Sequence, residues 1–165
     1  MMSNKRVVKV GIADLNIIIA PDLIKTSGLG SCVGVVICDK RRKIAGLAHI
    51  MLPDSQLSKQ RQLNIFKFAD TAIDHLILLL IQKGASRHSL KSKIAGGAQM
   101  FNFNSNSEMM RIGPRNVEAV KQRLQYHSIP LIAEDTGGNC GRTIEFNVET
   151  SELFIRTVSK GEQII

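Results

Sequence analysis

The chain has 165 residues, 44% of them hydrophobic, which supports one domain over 1–165 with its own core and excludes a disordered chain. Its formal net charge of +8 invites an acidic partner. Aromatics at 4%, and no zinc or helix-turn-helix spacing, argue against nucleic acid as that partner. The three cysteines (32, 38 and 140) form no Cys-x-x-Cys and the four histidines have no ligand spacing. Neither a disulfide framework nor a metal site is expected, and a reducing cytoplasm is the natural setting.

The first residues carry charge with no apolar segment behind them, so no signal peptide is expected. The longest apolar run, 76–81, is too short to span a bilayer, so membrane insertion is not expected. Residues 7–13 alternate loosely and read as a strand. Residues 16–20 continue it or form a second short strand, with Pro21 as punctuation. Residues 23–26 are extended and lead into Gly28-Leu29-Gly30-Ser31-Cys32. Two apolar runs follow, 33–38 and 44–52, separated by Lys40-Arg41-Arg42-Lys43, and read as a β-hairpin. The first is apolar on both faces and is expected to be covered on both sides. Facing residues of an antiparallel hairpin have a constant sum, and a turn centred between Lys40 and Arg41 sets Cys32 opposite His49.

Residues 57–64 are polar and read as a loop or a solvated first helical turn. From Ile65 the apolar period becomes helical, through Ala69, Ala72, Ile73, Leu76 and Leu80, with Gly84 as the stop. His75 lies near that face and reads as packed. Residues 87–93 read as a solvated connection before a strand that enters Gly96-Gly97, where paired glycines indicate a bulge or close backbone approach. Residues 102–106 have loop composition. Gly113-Pro114 opens a second helix, with Val117, Val120 and Leu124 on its apolar stripe and His127-Ser128 at its end. A strand at 129–133 precedes a turn-rich loop through Cys140, where Arg142 is expected to hold a carboxylate, from Glu134 or Asp135 first and otherwise from a substrate. Residues 143–148 and 153–158 form a final hairpin, and 160–165 read as a loose tail whose Ile164-Ile165 end is able to pack. Many short strands, two helices and no βαβ rhythm indicate an α+β fold with layered mixed sheets and outer helices.

A cysteine beside a histidine is a nucleophile with its base. Here Gly-x-Gly precedes Cys32, so the chain can bend sharply and present amide N–H groups of Gly30 and Ser31 to a substrate carbonyl. Thr26 is placed to orient the His49 ring as a third member, through either its hydroxyl or its backbone carbonyl. The competing reading makes Cys32 and His49 ordinary core residues. Cys38 shares the parity of Cys32 and reads as a buried thiol, with a resolving cysteine as the other reading. Cys140 has no nearby histidine in sequence and ranks below Cys32. From the residues alone the activity is that of a Cys–His hydrolase or transferase.

Thr26-Ser27-Gly28-Leu29-Gly30-Ser31-Cys32 and Gly46-Leu47-Ala48-His49-Ile50-Met51-Leu52-Pro53, followed in order by the 96–101, 112–116 and 137–143 blocks, resemble the CheD family of chemoreceptor glutamine deamidases. The resemblance implies Cys32 as nucleophile, His49 as base and Thr26 as third member of a triad. It implies hydrolysis of receptor glutamine side chains to glutamate, and activity on receptor glutamate methyl esters. It also implies no cofactor, a monomer, and as partners the helical cytoplasmic domain of a chemoreceptor and a CheC-type phosphatase. For the fold it implies a three-layer α/β sandwich similar to the catalytic domain of cytotoxic necrotizing factor toxins. The alternative is a catalytically idle module that docks on receptors or on the phosphatase.

Overall fold

A computed structural model describes residues 4–59, 63–100 and 111–165. The described strands are β1 (Val7–Lys9), β2 (Asp14–Ile19), β3 (Leu23–Leu29), β4 (Val33–Asp39), β5 (Ile44–Ile50), β6 (Leu90–Gly96), β7 (Leu131–Thr136), β8 (Arg142–Asn147), β9 (Glu152–Thr157) and β10 (Gly161–Ile164). Helix α1 (Ala69–Gln82) lies between β5 and β6, and α2 (Ile112–Tyr126) between β6 and β7. One mixed sheet has the order β2-β5-β4-β6-β7 and the other β1-β3-β8-β9-β10.

Alternation along the strands explains the layers. Val33, Val35, Ile37, Ala48 and Ile50 pack against Ala72, Ile73, Leu76, Val120 and Leu124 of the helices. The opposite face, with Val36, Cys38, Ala45 and Leu47, packs on Ile24, Leu29, Ile144, Phe146 and Ile155 of the second sheet. The first sheet is therefore the middle layer. Every residue of β4 and β5 is buried, as apolar character on both faces requires. Among the described residues the architecture is α+β, with two α-helices and two mixed sheets. An Arg123 Nε–Asp74 hydrogen bond of 2.7 Å ties α2 to α1.

Several expectations are corrected. The chain contains a βαβ unit: β6 and β7 pair in parallel with α2 between them. β7 is only partly buried, so its sequence lacks the apolar run that marks an interior parallel strand. The first strand ends at Lys9, well short of residue 13. Helix α1 starts at Ala69 rather than Ile65, because Phe68 is extended and bridges Leu52. The segment 87–93 is not merely a connection, since β6 begins at Leu90 and Lys93 is buried with Nζ on the Ser151 and Ile165 carbonyls. The tail is not loose: β10 pairs with β9, and Ile165 exchanges backbone hydrogen bonds with Leu153. Ladder bonds hold it, and its exposed side chains leave no pattern to read. The 102–106 loop lies outside the described residues, as does part of the 57–64 segment, whose first residue ends a 3-10 turn over Ser55–Leu57.

Candidate active site

Strands β3, β4 and β5 bring Thr26, Cys32 and His49 to one end of the two-sheet interface. The expected register is one step off. Gly34, not Cys32, pairs with His49, because the turn is centred between Arg41 and Arg42. Cys32 lies just before β4 and two residues from Gly34, so it shares the face that His49 presents to the second sheet. A diagonal pair of this kind has Cα atoms about 7–8 Å apart, within reach of an imidazole. Gly34 places no side chain directly across from the ring.

Thr26 and His49 are buried and in direct contact, Oγ1 to Nδ1 at 2.7 Å. The threonine hydroxyl, rather than its carbonyl, meets the ring. The same hydroxyl donates its one proton to the Val10 carbonyl at 2.7 Å. It can then only accept from the ring, so Nδ1 carries the proton and Nε2 keeps its lone pair. Nε2 is buried and makes no hydrogen bond to the described residues. Burial pushes the His49 pKa down to about 4, so the ring is neutral at pH 7. Cys32 is half-buried. Burial pushes its thiol up, and its own backbone N–H pulls the other way. The resting pair is a neutral thiol and a neutral imidazole with a free basic nitrogen.

The loop carrying Cys32 is held through its carbonyls. Ala98 N donates to Gly30 O and Gly97 N to Cys32 O, each at 2.8 Å. Asn116 Nδ2 donates to Ser31 O at 2.9 Å. The close approach explains the paired glycines: Gly96 has φ +115°, and a Cβ there would lie 2.3 Å from the Cys32 carbonyl oxygen. The Gly30 amide turns to the Gly28 carbonyl at 3.1 Å, while those of Ser31 and Cys32 take no part in this bracing. Peptide N–H and C=O groups point in opposite directions, so carbonyls drawn inward aim these two amides outward.

Asn116 belongs to the 112–116 block of the resemblance, but the sequence assigns it no role. It sits at the 113-116-120-124 spacing of the buried face of α2, and a lone amide on such a stripe was the available signal. The remaining candidates lie outside the Thr26–His49 contact. Cys38 is buried. Cys140 Sγ lies 2.9 Å from Ser159 Oγ. Arg142 pairs with Asp135 at 3.1 Å and donates to the Gly137 carbonyl. His75 is half-buried, with its ring 5.3 Å from that of Phe66. Among the described residues no group of three His, Cys, Asp or Glu could hold a metal ion, and no helix is long and apolar enough to cross a membrane. A groove of about 680 Å³ between the Ser55–Leu57 turn and α2, lined by Pro53, Gln56, Arg115 and Tyr126 among others, does not include Cys32.

A family model described as CheD chemotactic sensory transduction matches residues 51–157, downstream of Thr26, Cys32 and His49. A chemoreceptor glutamine deamidase CheD of Halalkalibacterium halodurans is 62% identical over 159 residues, covering 96% of this chain and 98% of the relative. One of Bacillus subtilis is 55% identical, covering 96% of each, and one of Bacillus licheniformis is 52% identical, covering 94% and 92%.

Proposed function

This chain belongs to the CheD family, and we propose that it deamidates glutamine side chains of chemoreceptors through Cys32, His49 and Thr26. The observation that carries the reading is the Thr26–His49 hydrogen bond, which leaves Nε2 as a free base on the face shared with Cys32. Cys32 Sγ attacks the side-chain amide carbon as His49 Nε2 takes the thiol proton. The carbonyl oxygen becomes an oxyanion, received by the outward amides of Ser31 and Cys32. The imidazolium returns the proton to nitrogen, ammonia leaves, and a thioester remains. Water then adds with His49 again as base, giving glutamate and the free thiol. Each turnover consumes one water and releases one ammonia, so no cofactor is required.

The same sequence with methanol as leaving group hydrolyses a glutamate methyl ester, and this is part of the proposal. The test incubates a receptor cytoplasmic fragment with wild type and with Cys32→Ala. Wild type is expected to add about one dalton per modified glutamine and the variant nothing, since the nucleophile and base act as a unit. Equal deamidation by both would refute the assignment, and so would none by wild type.

A further inference from the structure

We propose that Asn116 is a positioning residue for this reaction, aiming the Cys32 amide at the developing oxyanion; the inference rests on the reading of the site given above. Asn116 is fully buried on a helix face otherwise made of Gly113, Val120 and Leu124. Burying an amide there is unfavourable unless its polar atoms are partnered. Its Nδ2 is fully used: one hydrogen goes to Ser31 O and one to Met51 O, each at 2.9 Å. These two carbonyls come from the two halves of the site. Ser31 immediately precedes the nucleophile, and Met51 lies two residues beyond the base.

The amide orientation is determined by these contacts. A flipped side chain would turn its oxygen toward two carbonyl oxygens. In the orientation adopted, Oδ1 is left buried with no hydrogen bond to the described residues. The orientation adopted makes two donations at once, to a carbonyl in each half of the site.

The geometric consequence follows from the planar trans peptide. The Ser31 carbonyl and the Cys32 N–H belong to the same peptide unit and point opposite ways. Drawing that carbonyl toward α2 aims the Cys32 N–H away from α2, toward its own sulfur, beside which the oxyanion forms. Both Asn116 donors are committed, so its side chain does not itself bind the oxyanion. The helix is firmly seated for this task. A Cβ at Gly113 would lie 2.2 Å from the Ala98 carbonyl oxygen, so α2 abuts the same segment that holds Gly30 and Cys32.

The test compares wild type, Asn116→Ala and Asn116→Ser on the receptor fragment, each held below its thermal unfolding transition. Serine can donate to only one of the two carbonyls. The expected result for Asn116→Ala is a fall in kcat of about 10²-fold with KM within about twofold, because misaiming a catalytic group acts in the transition state. Asn116→Ser should fall between the two, and it carries the comparison alone if the alanine variant does not fold. A lower unfolding temperature with unchanged kcat would show a purely structural role and overturn the proposal. A loss expressed entirely in KM would overturn it as well. Deamidation by Cys32→Ala would instead overturn the assignment of the nucleophile, which keeps the two failures apart.

Discussion

Acidification probes the buried imidazole directly. His49 has no solvent exposure and burial lowers its pKa from 6.5 to about 4. The folded chain therefore holds this proton more weakly than the unfolded chain. The stability that goes with a neutral His49 is intact above pH 6.5 and is withdrawn as the pH falls toward 4. The gap between those values, at about 1.4 kcal/mol per pH unit, sets a ceiling of about 3 kcal/mol. With a urea m-value of roughly 2 kcal/mol/M for a domain of this size, the midpoint should drop by about 1–1.5 M from this group alone. The assay is urea unfolding of wild type and His49→Gln at a series of values from about pH 7.5 to about pH 4.5. Asp74 and Glu134, whose partners hold their carboxyls below the ordinary range, titrate in both proteins and cancel in the difference. Wild type should lose its advantage steadily below pH 6.5. Parallel curves for the two proteins would refute the account of His49 as a buried neutral base. The same reasoning puts the acid limb of kcat/KM well below pH 6.5.

Thr26→Val keeps the shape but strands the Val10 carbonyl and His49 Nδ1, at about 1–3 kcal/mol each. Denaturant unfolding should show the loss, kcat should fall roughly 10²-fold as the tautomer is released, and Thr26→Ser should restore both. Gly96→Ala forces a Cβ to 2.3 Å from the Cys32 carbonyl oxygen at φ +115°, and should cost about 1–3 kcal/mol together with most of the activity. A fully stable, fully active Gly96→Ala would show that the Cys32 loop does not depend on this contact.

The parts legible in the sequence were those where side chains choose the structure. The hairpin showed in two apolar runs, and α1 in the spacing of Ala72, Ile73, Leu76 and Leu80. What escaped was decided by backbone. β10 has no apolar pattern because ladder bonds alone hold it. The hairpin register depends on how four basic residues share one turn, with Lys43 at φ +57°, and nothing in Lys40–Lys43 distinguishes a centre at 40/41 from one at 41/42. A one-step error of this kind shifts the facing sum by two and preserves parity, so Cys32 still emerges on the His49 face, now diagonally. Thr26 and His49 were readable as candidates, but the hydroxyl contact depends on the pairing of two sheets that no local pattern specifies.

A hydroxyl as the proposed third member has a chemical consequence. A carboxylate beside Nδ1 would favour imidazolium and, through it, a standing thiolate. The Thr26 hydroxyl, already committed to the Val10 carbonyl, offers only a neutral acceptor. It selects the tautomer without raising the ring's basicity, and burial lowers that basicity further. The thiol is pushed the other way by the same burial. Both shifts oppose charge separation before substrate arrives. On the proposed mechanism the nucleophile is generated within the encounter, when oxyanion formation at the Ser31 and Cys32 amides balances the imidazolium. The reactive species is the thiolate, so a resting thiol is also spared oxidation and alkylation. Under that proposal selectivity begins with the proton: the sulfur becomes reactive only against a carbonyl already seated on the loop that Asn116 and the Gly96–Ala98 segment hold in place.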